Sequence, residues 1–318
     1  KYDTIDINNI LQDVKLNLTE RQELIEFASK NPFNFYDIMN NLEGVSDQNV
    51  YGILTKPNDN DIFPIIIGVA GSAGWDVHHY AYLDRYLKAG FAVFSLHSFM
   101  SRNVKSTVGE QISVTMPMMI YDAFMALQAL SDDPKIDINR AGITGWSLGG
   151  GVTLFSAWSP IQEHISPNHK FAAHLSFYPP CMILPDEFRF NNVPIHILAG
   201  QLDDWVPAKA CEELVAVAIN KGYEIGLTIY SGASHSFDRN MEVETSEDAY
   251  SLTDCRLTLS NSGVVKTKDY GFPLSNSTLQ KIGLYFCADR GSSFGGNKEA
   301  REASKIFAQE FMSAHLLK

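Results

Sequence analysis

The chain has 318 residues, 45% of them hydrophobic, and a formal net charge of -12. That length and apolar content can bury one large α/β core. The acidic balance disfavours nucleic acid and anionic membrane as partners, since both require a basic surface, and the longest apolar runs, Ile62 to Ala70 and Phe91 to Leu96, fall far short of the roughly 20 residues of a membrane-spanning helix.

The sequence opens on Lys1 rather than Met, as a processed form with a removed signal peptide would. Residues 1–45 read as a helical and polar extension, with helix and polar loop from about Leu18 to Met39, and residues 46–318 as one α/β domain. Pro57 to Asp61 carries turn chemistry between two strand-like runs. Beyond it, short β-branched and aromatic runs alternate with amphipathic segments, the pattern of a mostly parallel central sheet flanked by helices with no large cap. Strands are predicted at Val50–Thr55, Ile65–Ala70, Phe91–Leu96, Ala141–Thr144, Ala172–Phe177, Ile195–Ala199 and Gly226–Tyr230. Helices are predicted at His79–Ala89, Ile112–Leu130, Leu148–Ala157 and Ala208–Lys221. From Asp238 to Arg290, abundant Ser, Thr, Asn and Gly break this rhythm, and an irregular, cysteine-containing insert is expected over 238–290. A last helix, Ala300 to about His315, places Ala303, Ile306, Phe307 and Phe311 where one face can pack on the core.

The chemistry centres on Gly145-Trp146-Ser147-Leu148-Gly149. An apolar run, Ala141 to Thr144, precedes this short motif, and a glycine-rich helix start follows it. That strand–turn–helix context is what a nucleophile elbow demands. A serine hydroxyl is a weak nucleophile and needs a histidine to take its proton and a carboxylate to orient the imidazole. Downstream, the strand at Ile195 ends in Gly200-Gln201-Leu202-Asp203-Asp204, making Asp203 the candidate acid and Asp204 its competitor. The next strand ends in a small-residue loop bearing His235, the candidate base. This gives the chain order Ser, acid, His. The amide of Leu148 would face the developing oxyanion, and the loop Ala70 to Trp75 offers a second amide at Ser72, with Ala73 the next choice. His78 and His79 follow that loop as possible pocket lining, whereas His174 and His196 fall within strands as core residues.

The four cysteines, Cys181, Cys211, Cys255 and Cys287, have no CxxC spacing, which argues against a zinc knuckle or a thioredoxin-type pair. Two disulfides in a secreted or periplasmic protein is the sharper reading. Buried free thiols in a cytoplasmic enzyme is the other.

With the elbow, the Gly200 to Pro207 turn and the Ser231 to Asp238 loop in place, the chain resembles the dienelactone hydrolase family from about Val50 to its C-terminus. Ser98 to Arg102 and Asp132 to Arg140 look like that family's segments before the elbow strand. The resemblance implies an α/β-hydrolase fold acting on esters or lactones without a metal or other cofactor. The nucleophile here is serine where the founding members use cysteine, so lactone specificity does not carry over. The insert resembles a secreted or periplasmic branch, which implies that Cys255 pairs with Cys287, leaving Cys181 with Cys211. The function expected is a carboxylic ester hydrolase working through an acyl-enzyme on a small-molecule ester, with a peptidase or amidase, or a lactone hydrolase, as alternatives on the same residues. A non-catalytic binding protein fits less well, because a decayed site would be expected to have lost at least one of these elements.

Overall fold

The computed structural model describes residues 11–12, 14–15, 17–58 and 60–318. Lys1, the rest of the first ten residues, Asp13, Leu16 and Asp59 of the Pro57–Asp61 turn lie outside the described residues. The strands are β1 (Gln22–Lys30), β2 (Asp47–Thr55), β3 (Phe63–Val69), β4 (Ala92–Leu96), β5 (Ile136–Trp146), β6 (Ala173–Phe177), β7 (Ile183–Pro185), β8 (Ile195–Gly200) and β9 (Ile225–Tyr230). All but β7 form one sheet in the order β1-β2-β4-β3-β5-β6-β8-β9. β2 is antiparallel to both β1 and β4, and every pairing from β4 through β9 is parallel. Strand β3 is buried along its whole length, as an interior strand covered on both faces must be.

Helices α1 (Phe35–Asn40), α2 (Val77–Lys88), α3 (Met116–Leu130), α4 (Leu148–Phe155), α5 (Ser159–Ile165) and α6 (Ala208–Asn220) fill the connections. Helix α3 starts later than the expected Ile112, because Thr115 caps it and Pro117 sits in its first turn.

Of the stretch expected as helix and polar loop, Leu18–Met39, only the last part is helical, as α1, and Gln22–Lys30 is strand β1. Its Leu, Glu and Ala favour a helix locally. Pairing with β2 along the full register, from Gln22 opposite Thr55 to Lys30 opposite Asp47, overrides that preference. Arg102 secures the strand from inside: its guanidinium meets the buried carboxylate of Asp122 at 2.7 Å and donates to the carbonyl of Lys30 at 3.0 Å.

The stretch expected to be irregular is ordered. It holds β10 (Glu244–Ser251), β11 (Leu257–Leu259), β12 (Val265–Thr267), α7 (Ser277–Tyr285) and β13 (Asp289–Phe294), and α8 (Lys298–Leu316) follows. β10 pairs with β13, β11 with β12, and β11 also runs parallel to β7, joining the insert to the main body. Much of β10 is exposed, which explains its polar sequence. Disulfides link Cys255 to Cys287 and Cys181 to Cys211, as the family resemblance implied. No helix among the described residues is long and apolar enough to cross a membrane.

His174 in β6 is completely buried, with Nδ1 2.9 Å from the carbonyl of Thr153. Burial lowers its imidazole to about 4. The unfolded chain, with an ordinary histidine near 6.5, therefore takes up a proton at higher pH than the fold does. Stability from this residue is present above that value and is lost as pH falls toward 4. Urea unfolding should show about 2 kcal/mol less stability from this residue at pH 5 than at pH 7, and His174→Gln should flatten that slope.

Candidate active site

Ser147 stands where β5 ends and α4 begins, with φ 54° and ψ -115°, and it is half-buried. The sharp reversal requires bare backbone on both sides. A β-carbon at Gly145 would fall 2.1 Å from the carbonyl oxygen of Gly149, and one at Gly149 would fall 2.1 Å from that of Val69. The strained conformation lifts the serine side chain above the carboxyl ends of the parallel strands.

Two further loops at that edge bring their predicted residues to it. His235, in the loop after β9, places Nε2 2.9 Å from Ser147 Oγ and Nδ1 2.7 Å from Asp203 Oδ2. Asp203, after β8, accepts the backbone N–H groups of Trp205 at 3.0 Å and Val206 at 2.9 Å on its other oxygen. An acceptor-only carboxylate facing Nδ1 keeps the proton there and leaves Nε2 free to accept from the serine. Asp204, the competitor, turns away and accepts the amide of Ser293 at 2.8 Å.

The imidazole of His235 is buried, with the rings of Tyr178 and Trp205 centred 4.8 and 4.9 Å away. Its loop is pinned by β13, since the amide of Gly295 donates to the carbonyl of His235 at 2.9 Å.

The loop after β3 turns tightly, with the amide of Gly74 donating to Gly71 at 2.9 Å. Gly71 abuts the elbow, where a β-carbon would lie 3.3 Å from that of Ser147. Ser72 is buried, and its hydroxyl accepts from Gln111 Nε2 at 3.0 Å. The carbonyl of Gln111 in turn accepts from Gln280 of α7 at 2.7 Å, so the insert braces this loop. Leu148 opens α4, and a helix's first amides have no carbonyl partner within it and carry partial positive charge.

His78 and His79 are buried beside Ser147 and line the same cavity as His235. His79 also completes the capping box of α2, accepting the amide of Asp76 on Nδ1 at 3.1 Å. Burial holds both imidazoles below the usual range, His79 strongly so. Sequence reading missed Arg239, whose Nη1 meets Asp76 at 2.7 Å, and Tyr178, whose hydroxyl donates to buried Asp238 at 2.8 Å. Their only signal was position: Asp238 and Arg239 lie in the His235 loop, and Tyr178 directly follows β6. Among the described residues, no group of three or more His, Cys, Asp or Glu side chains is arranged to hold a metal ion.

The family model described as the dienelactone hydrolase family matches residues 50–257. The solved structure of m3DLH is 14% identical, with a TM-score of 0.58, covering 93% of this chain and 99% of that one. A dienelactone hydrolase-like promiscuous phosphotriesterase from metagenomic libraries is 13% identical, with a TM-score of 0.52 and coverage of 92% and 99%. At such identities the structural likeness concerns the fold. No curated protein matches the chain in sequence.

Proposed function

The chain belongs to the dienelactone hydrolase family of α/β hydrolases, and from that premise we propose that it cleaves carboxylic esters through a Ser147–His235–Asp203 triad and an acyl-enzyme. The observation that carries this reading is the unbroken relay from Ser147 Oγ through both nitrogens of His235 to Asp203, at 2.9 and 2.7 Å.

Ser147 Oγ attacks the ester carbonyl as His235 Nε2 takes its proton. Asp203 holds the ring and stabilises the imidazolium that forms. The amides of Leu148 and Ser72 receive the oxyanion, and each such donor contributes about 3–4 kcal/mol in the transition state. His235 then protonates the departing alkoxide, and a water molecule activated by the same histidine releases the acid. Residues 46–318 would form the catalytic unit with 238–290 as its insert, and β1 of the extension would complete the sheet edge. The two disulfides support an oxidising compartment, secreted or periplasmic.

A p-nitrophenyl ester and the matched p-nitroanilide separate esterase from amidase on this triad. The ester should be turned over while the anilide shows no cleavage above its uncatalysed rate. Anilide cleavage that depends on the enzyme and is lost with Ser147→Ala would point to a peptidase or amidase instead.

A further inference from the structure

Two cavities meet at Ser147. One, of about 290 Å³, is lined by His235, His78 and Arg239 together with the Gly71–Gly74 turn. The other, of about 160 Å³, has Met116, Met182 and Ile183 of the main body on one side and Leu252, Val265 and Leu284 of the insert on the other. Neither His235 nor any residue with a formal charge lines this second cavity.

The chemistry assigns the two halves of the substrate. When the tetrahedral intermediate collapses, the bond from the acyl carbon to the alkoxy oxygen breaks, the bond to Ser147 Oγ remains, and His235 Nε2 gives its proton to the departing oxygen. The alcohol must therefore leave through the space that His235 lines, and the acyl group, still bonded to the serine, takes the other. A carboxylate placed in that cavity would lose its hydration with no cationic side chain to pair with it, since the polar groups there, such as Gln111 and Gln280, are neutral. As to size, an apolar cavity of roughly 150 Å³ admits benzene, so there is room for about six carbons.

We infer that the substrate's acyl group is neutral and apolar, a chain or ring of about six carbons seated beneath the insert, and that the alcohol is the more polar half. This rests on the reading of Ser147 as an esterase nucleophile.

The test uses the intact, oxidised protein with p-nitrophenyl esters from acetyl to dodecanoyl. From acetyl to about hexanoyl, kcat/KM should rise about fourfold per methylene, and then fall for chains that overfill the cavity. Val265→Trp and Leu252→Trp, both in the half-buried roof, should each lower the hexanoyl-to-acetyl ratio by about tenfold or more. The ratios among hexanoate esters of successive alcohols should hold. Circular dichroism and thermal melting verify that each variant is folded, and agreement between the two variants guards against a local distortion at either.

A flat acyl profile with turnover that Ser147→Ala abolishes would overturn the acyl seat and leave the esterase reading standing. Roof variants that move the alcohol series instead would overturn the assignment of the two cavities. A p-nitrophenyl adipate hemiester cleaved as well as the hexanoate would overturn the demand for a neutral acyl group. If no ester is turned over at all, the esterase reading falls and this inference with it.

Discussion

Ser147→Ala should lower kcat for a p-nitrophenyl ester by about 10⁶-fold, the scale seen when a serine hydrolase loses its nucleophile alone. Ser147 Oγ is the atom that His235 Nε2 faces at 2.9 Å, so its removal leaves the imidazole nothing to deprotonate and the acyl group nothing to join. The oxyanion amides would remain, and with substrate binding they should sustain roughly 10³–10⁴ over the uncatalysed rate. Ser147 sits at φ 54°, and alanine keeps the β-carbon there while removing only the hydroxyl, so the melting temperature should move little. Stopped-flow acylation and stoichiometric fluorophosphonate labelling read the effect directly. A variant that is still labelled at wild-type stoichiometry would remove Ser147 from the mechanism.

Asp203→Asn should cost about 10⁴ in kcat while preserving the shape of the site. The amide oxygen of asparagine can still accept from Trp205 and Val206, as Asp203 Oδ1 does. That turns its NH₂ group toward His235 Nδ1. The ring must then accept there and carry its proton on Nε2, the tautomer that cannot take a proton from serine. Asp204→Asn is the control, because its carboxylate holds the amide of Ser293 in β13 and faces away from the imidazole. It should act mainly on the stability of the insert, and an Asp204→Asn loss exceeding that of Asp203→Asn would reverse the assignment of the acid.

The parts of this site that short stretches encode are legible in the sequence itself. The elbow needs glycine on either side of Ser147 and strand and helix patterns beside it, all within a dozen residues. The order of acid and base follows from loops at successive strand ends. The sequence names Asp203 ahead of Asp204, but what separates them is which way each faces on the turn, and adjacent residues on a turn face different ways. Longer-range features left no local trace. β1 is rich in helix formers, and its strand state comes from pairing with β2. The ordering of the insert comes from pairing Glu244 with Phe294 and from a disulfide whose halves are 32 residues apart. The brace from Gln280 to Gln111 to Ser72 spans 169 and then 39 residues, distances over which periodicity carries no information.

The Cys255–Cys287 bond closes a loop that contains Leu257, Val265, Leu274 and Leu284, four of the residues over the apolar cavity. The groups that hold His235 and Asp204, at Gly295 and Ser293, lie outside that loop. The stretch matched by the family model ends at residue 257, so nearly all of the loop falls beyond it. One wall of the apolar cavity is thereby written on a length of chain apart from Ser147, Asp203 and His235, while Met116, Met182, Ile183 and Leu252 keep the rest of it within the matched stretch. Membership of the family therefore says little about that part of the cavity wall, and a change there is still felt at Ser72, to which Gln280 of the same loop is tied through Gln111.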